Sequence, residues 1–216
     1  TPPWAFDRAE VERAMYRALQ DARGAIRWLK ARHAADSTDT ANVFVAGGSA
    51  GAITALAVGF MDQESYKPAS ADSINAIFNT YTYMRPDLGP IQGTLNLNGY
   101  DARIKGIGNV FGAIADTNYI GPVGPAVVSY HQINDPVVPC YTNQPYWGIG
   151  LGINTNYPWV SGSAIIDRRL KNLGYDLSRR GLFLYNGNLH AVHDAALVDT
   201  LFANFFGRLI CSADQG

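Results

Sequence analysis

Charge is scarce in this chain. Asp, Glu, Lys and Arg make up 16% of 216 residues, well below the quarter usual for a globular domain, which suits a chain with much buried sheet. The formal net charge is -1, and no run of Lys or Arg occurs. That excludes the electrostatic footprint of a nucleic-acid or anionic-membrane binder. Cysteine is almost absent. The two cysteines, Cys140 and Cys211, form no CxxC pair, which argues against structural zinc and thioredoxin-like chemistry. A disulfide between them is expected. It would tie the loop after Val138-Pro139 to the C-terminal segment and contribute a few kcal/mol by closing a long loop, and it would point to a secreted or periplasmic protein. The alternative is two buried thiols. No signal peptide is expected within these residues. The start, Thr1-Pro2-Pro3-Trp4, lacks an initiator Met, so the chain is expected to have been cut or processed. The one long uncharged run, Val43 to Phe60, holds four glycines and makes a poor membrane span.

That run is better read as strand, sharp turn and helix. Val43-Phe44-Val45-Ala46 is apolar and β-branched or aromatic, Gly47-Gly48-Ser49-Ala50-Gly51 is small, and Ala52-Ile53-Thr54-Ala55-Leu56 continues as a helix. Gly47-x-Ser49-x-Gly51 is the pattern of a nucleophile elbow, found between the strand and helix that such a turn requires. Gly47 and Gly51 are expected to be small because strand and helix cross closely. The Ala50 N–H, at the helix start, is a candidate oxyanion donor. The plainer alternative is a Gly-rich turn with an inert serine.

Asp7 to about Ala35 reads as one helix, capped by Asp7 with Glu10 as capping-box partner. Val11, Met15, Leu19, Ala22, Ile26 and Leu29 form its apolar stripe, with Arg and Asp on the other face. The elbow helix runs to about Phe60. Residues 61–99 break the pattern: a short helix from Ser70 through Phe78 is expected, with loops at Pro86, Gly89, Pro90 and Gly93. The aromatic residues Tyr66, Phe78, Tyr81 and Tyr83 suggest a surface excursion packed by its own rings, with a substrate-binding cap as the alternative. Further strands are read at Ile104–Ile114, Ala126–His131 and Gly181–Tyr185, and a closing helix at Leu197–Ile210. Strands alternating with helix-length connections imply one α/β domain over 1–216, with a mainly parallel sheet and helices on both faces. Gly148-Ile149-Gly150-Leu151-Gly152 follows no strand and reads as a loop, not a dinucleotide fingerprint.

An unaided serine is a poor nucleophile and needs a base, which needs an orienting acid, in the chain order Ser, acid, His. Both should follow strands, at the carboxyl ends of a parallel sheet. Asp135, just past the third strand, is the candidate acid, and Asp116 is the runner-up. Of four histidines, His33 precedes the serine, and His131 precedes the acid and is expected to hydrogen-bond beneath the site. His190 is the preferred base and His193 the alternative. Their spacing of three alone is a weak metal signal, so no metal is expected.

Three blocks resemble the α/β-hydrolase superfamily, in particular its carboxylesterase-like members: residues 16–29, similar to the helix before the elbow; Gly47-Gly48-Ser49-Ala50-Gly51; and Asp135-Pro136-Val137-Val138-Pro139 with His190 downstream. The resemblance implies ester hydrolysis without a cofactor, on a small or polymeric ester, with Ser49 as nucleophile, His190 as base and Asp135 holding the imidazole. Two departures stand out. The superfamily sheet has about eight strands and this chain supplies about four. The His-Gly-Gly loop that gives a second oxyanion donor is absent, and His131 is followed by Gln132. The resemblance therefore implies missing N-terminal strands, supplied by a preceding segment or a companion chain. An amide hydrolase with the same three residues, or a catalytically silent binding module of this fold, are the rival expectations.

Overall fold

A computed structural model of the chain describes residues 7–78, 81–150 and 152–211, with no description of the side chains of 75–78 and 81–83. The expectations placed on Thr1–Trp4, on Leu151 and on the rings of Phe78, Tyr81 and Tyr83 lie outside the described residues. The helices are α1 (Arg8–Ala31), α2 (His33–Asp36), α3 (Ala50–Phe60), α4 (Ser163–Asn172) and α5 (Ala195–Cys211). The strands are β1 (Phe44–Gly48), β2 (Ile74–Phe78), β3 (Tyr81–Arg85), β4 (Gly106–Val110), β5 (Ala113–Ile114), β6 (Ala126–Gln132), β7 (Thr142–Asn143), β8 (Val160–Gly162) and β9 (Arg180–Tyr185).

The main sheet has the order β1-β4-β6-β9, all parallel. Side-chain alternation assigns its two faces. Ile107 and Val127 pack with Leu56 and Phe60 of α3 and Ile166 and Leu170 of α4. Ala126 and Val128 pack with Phe205 of α5 on the opposite face. The glycines of β4 have their reason here: a Cβ at Gly108 would stand 2.7 Å from the Phe202 ring of α5. The sheet is thus covered on both faces, as expected from the alternation of strands and helices.

Several local expectations are corrected. The helix read through residue 35 breaks at Arg32 into α1 and α2. Asp7 caps α1, accepting from the Ala9 N–H at 3.0 Å, but Glu10 turns to Arg85, 2.7 Å away, rather than back to the cap. Where a helix was read from Ser70 through Phe78, a 3-10 turn at Ala69–Ala71 leads into β2, paired antiparallel with β3; the alternation Ile74-Asn75-Ala76-Ile77-Phe78 is β-competent and finds a partner. The strand read as Ile104–Ile114 splits at Phe111-Gly112, and β5 leaves to pair with β8 in a small three-stranded sheet.

Much of the segment 61–99 is strapped along α1. The buried guanidinium groups of Arg13, Arg23 and Arg27 donate to the carbonyls of Ser70 (2.8 Å), Ile91 (2.7 Å) and Gln92 (2.9 Å). The arginine face of α1 therefore satisfies the backbone of an irregular segment that could not otherwise be buried.

The expected disulfide is absent: Cys140 and Cys211 are both free thiols. Cys140 is buried beyond the carboxyl end of β6. The last turns of α5 lie instead against the amino ends of the strands, where Leu209 shares a cavity with Lys105 and Ala126. The sheet stands between the two thiols, so no bridge supports an oxidising compartment. Burial pushes the Cys140 thiol up to about 11, which leaves it unreactive. Among the described residues no helix is long and apolar enough to cross a membrane.

Candidate active site

Ser49 sits between β1 and α3 with φ +55° and ψ −123°, a conformation that costs a non-glycine residue on the order of 1–3 kcal/mol. Its own N–H donates to the Val110 carbonyl at 3.0 Å, and its carbonyl accepts from Ile53 at 3.0 Å. These bonds fix the turn from both sides. A Cβ at Gly47 would lie 2.5 Å from the Gly51 carbonyl carbon, so strand and helix do cross too closely for any side chain there. A Cβ at Gly51 would meet nothing within 4 Å. The crossing therefore demands only the first of the two glycines. Ala50 opens α3, so its N–H has no acceptor within the helix and lies at the positive end of the helix dipole.

The structure brings Ser49, His190 and Asp135 together across 141 residues of sequence. The Ser49 hydroxyl meets His190 Nε2 at 2.8 Å, and His190 Nδ1 meets Asp135 Oδ2 at 2.8 Å. The other carboxylate oxygen, Oδ1, accepts from the Val137 and Val138 N–H groups at 2.8 and 3.1 Å. Asp135 is fully buried. Burial works to raise its pKa, but the N–H groups of His131, His190 and Val137 outweigh that and hold the carboxyl below the ordinary range. The Asp-Pro-Val-Val sequence thus serves the carboxylate twice, by ending β6 in a turn and by aiming two N–H groups back at it.

His131 lies beneath the site, as expected. It is fully buried; its Nε2–H donates to the Val138 carbonyl at 3.0 Å and lies 3.6 Å from Asp135. A carbonyl only accepts, so the proton is on Nε2 and Nδ1 accepts from the Ser163 hydroxyl at 2.8 Å. Asn109 closes the chain, donating to Ser163 and Ser129 at 2.9 Å each. Every side chain of this buried network is satisfied, which stiffens the floor under the acid.

The remaining candidates are put elsewhere. The Tyr130 hydroxyl meets His193 Nδ1 at 2.8 Å and accepts from its N–H at 3.1 Å, and the Tyr185 ring stacks on the imidazole at 3.8 Å. His193 therefore anchors the loop that carries His190, and the spaced histidine pair is divided between two tasks. Asp116 caps a 3-10 turn, accepting from the Asn118 N–H at 2.8 Å. His33 is exposed on α2, with its Nδ1 beside the Tyr100 hydroxyl.

The site also contains residues that sequence reasoning missed. Phe111 has φ +43°, rare for an aromatic residue, and its ring centroid lies 4.5 Å from that of His190. Its only sequence signal was the Gly112 beside it, which interrupts the strand. The Trp147 indole N–H donates to the Asp135 carbonyl at 2.8 Å. Trp147 and Trp159 both remain exposed, as does Tyr141.

A family model described as alpha/beta hydrolase fold matches residues 11–90. Among solved structures, a bifunctional GH43-CE protein of Bacteroides eggerthii superposes with a TM-score of 0.57 at 17% identity, over 88% of this chain and 27% of its own. The chain has the α/β-hydrolase fold. A truncated form of a carbohydrate esterase from gut microbiota shares that fold with a TM-score of 0.56 at 14% identity, over 89% of this chain and 68% of its own. The chain thus spans about a quarter of the first of these structures. No curated protein matches the sequence. The family match covers most of α1, the elbow and the first part of the strap, while Asp135 and His190 lie beyond it and join the fold through geometry.

Proposed function

We propose that this chain is a serine hydrolase that cleaves a carboxylic ester through an acyl-enzyme. The observation that carries the reading is the unbroken chain from Ser49 Oγ through both His190 nitrogens to Asp135, with each bond at 2.8 Å. His190 Nε2 takes the Ser49 proton as Oγ attacks the ester carbonyl. The oxyanion forms beside the Ala50 N–H. The tetrahedral species collapses by breaking the bond to the alcohol, which leaves with the proton from Nε2. Water, deprotonated by the same nitrogen, then attacks the acyl-serine; the acyl–Oγ bond breaks, the acid is freed and Nε2 returns its proton to Ser49 Oγ. Asp135 holds the imidazole in the required tautomer and stabilises its charge. No metal or cofactor enters this chemistry. An amide is the rival substrate, and a catalytically silent module the rival role.

The finer reading is an ester borne on a carbohydrate. Both similar structures support it, one described as a carbohydrate esterase and the other as a GH43-CE protein. So do the exposed Trp147, Trp159 and Tyr141, aromatic faces of the kind on which sugar rings stack, on the stretch that follows the acid turn. A partner proposal goes with it. β1 pairs only with β4 among the described residues, and Ala46 and Gly48 are exposed on it. A further strand from a preceding segment or a companion chain would cover this edge and bring the second oxyanion donor.

Intact mass before and after a fluorophosphonate probe tests the core of the reading. Wild type gains one adduct, Ser49→Ala gains none, and its ester turnover falls about 10⁴- to 10⁶-fold. A folded wild type without an adduct would move the assignment to the silent module. A second polypeptide in the native but not the denatured mass would identify the companion strand.

A further inference from the structure

Gln132 follows His131 at the end of β6, and the structure gives it two tasks. It is the last residue of β6, paired with Tyr185 of β9, and it is buried. Its backbone carbonyl accepts from the Asp135 N–H at 3.2 Å, closing the turn that presents the acid. Its side-chain amide crosses to the loop after β9. There Oε1 accepts from the Leu189 N–H at 2.9 Å and Nε2 donates to the Ala191 carbonyl at 2.8 Å. These two backbone groups flank His190 on either side. The amide is bound at both ends, so its orientation is fixed by donor and acceptor alike.

Gly187 shows how closely the amide fits. A Cβ built there would fall 2.1 Å from Gln132 Oε1, so the loop must pass the amide without a side chain. The Gly187 carbonyl in turn accepts from the Asn134 N–H at 2.9 Å, one residue before the acid.

We infer that Gln132 is the positioning residue that sets the register between acid and base: its backbone fixes the Asp135 turn and its side chain pins the peptide groups around His190. A smaller residue there leaves the imidazole on an untethered loop. Because a displacement of about 1 Å can cost about 100-fold in rate, Gln132→Ala should lower kcat about 10- to 100-fold. The inference rests on the hydrolase reading for its kinetic consequence, but the tether itself can be measured without turnover.

The experiment is a double-mutant cycle of Gln132→Ala and Gly187→Ala, read by p-nitrophenyl acetate kinetics and by hydrogen–deuterium exchange. In Gln132→Ala, kcat falls while KM stays within about twofold, and exchange rises in residues 186–194 while α1 and β1 keep their protection. Gly187→Ala alone damages the loop because its methyl displaces the amide. In the Gln132→Ala background it costs less than in wild type, because the amide clash has gone and only the Tyr185 ring, 2.8 Å from the added Cβ, remains in the way. Gln132→Glu, which keeps the acceptor but loses the donor to Ala191, falls between wild type and Gln132→Ala in protection of Leu189 and loses kcat. Full kcat with unchanged exchange in Gln132→Ala would overturn the inference, as would additive losses in the cycle. If wild type shows no Ser49-dependent turnover, the hydrolase reading fails, and exchange of residues 186–194 alone decides whether Gln132 holds the loop.

Discussion

Ser49 and His190 meet at 2.8 Å, yet the two loops that carry them are built by different means. The serine turn is made by its own backbone. It has a positive φ, a glycine where strand and helix cross, and hydrogen bonds to its neighbours in the sheet and the next helical turn. The histidine loop is made by other people's side chains: Gln132 on Leu189 and Ala191, Tyr130 on His193, Tyr185 stacked on the same ring, and Phe111 against the imidazole. A turn built from local strain can be damaged only where the strain is held. A loop held by distributed contacts can be weakened in steps. The comparison predicts a steep response on one side and a graded response on the other.

The largest effect is expected where the two loops converge. Asp135→Asn keeps the shape but presents the wrong group to His190 Nδ1, and kcat should fall about 10⁴-fold with KM little changed. The same variant has a pH signature. The Asp135 carboxyl is held below its ordinary value of 3.8, so its ionised form contributes stability that is complete above that value and is lost as pH falls through the lower folded value. Chemical denaturation should show wild type more stable than Asp135→Asn at neutral pH, with the gap closing below about pH 4. A gap that persists unchanged at pH 2 would contradict the charge-based account.

Next comes the elbow. Gly47→Ala places a methyl 2.5 Å from the backbone of Gly51 and should cost about 1–3 kcal/mol of overpacking strain, together with most of the ester turnover. Gly51→Ala points into open space. On an α-helix it should raise stability by about 0.5–1 kcal/mol through propensity and leave turnover within a few fold. Equal damage from both glycines in a thermal melt would mean the turn is not set by the single crossing at Gly47.

The smallest effect belongs to the histidine loop's outer anchor. His193→Phe keeps a ring for Tyr185 to stack on and removes the Nδ1 partner of Tyr130, at a cost of about 0.5–1.5 kcal/mol. Its kcat should change by only a few fold, because Gln132 still holds the loop on both sides of His190. A loss as deep as that of Asp135→Asn would make His193, not Gln132, the main support.

The same contrast explains what could be read in the residues. Gly47-x-Ser49-x-Gly51 was legible because an elbow is a local structure: small residues between a β-branched run and a helix former describe it within one window. Asp135 was legible for the same reason, as a turn acid directly after a strand. The preference for His190 over His193 rested only on its place in the loop after Gly187, since both follow β9; it is Tyr130, 63 residues from His193, that ties the other histidine up. The arginines of α1 looked like a polar face and turned out to be buried, because their acceptors are carbonyls of residues 70–95 that no periodicity reveals. The expected Cys140–Cys211 bridge failed on a fact of tertiary placement, opposite ends of one sheet.

By itself, then, the sequence determined the alternation of strands and helices, the four strands of the main sheet, the strained serine turn and the Asp135 turn that follows β6, because each rests on residues within a few positions of one another. Tertiary structure alone decided what holds His193 away from the serine, what Gln132 and Phe111 do, and where the strap after α3 is bound. Those outcomes depend on hydrogen bonds and ring contacts between segments tens of residues apart, and the energies that select them exist only once the sheet has brought the segments together.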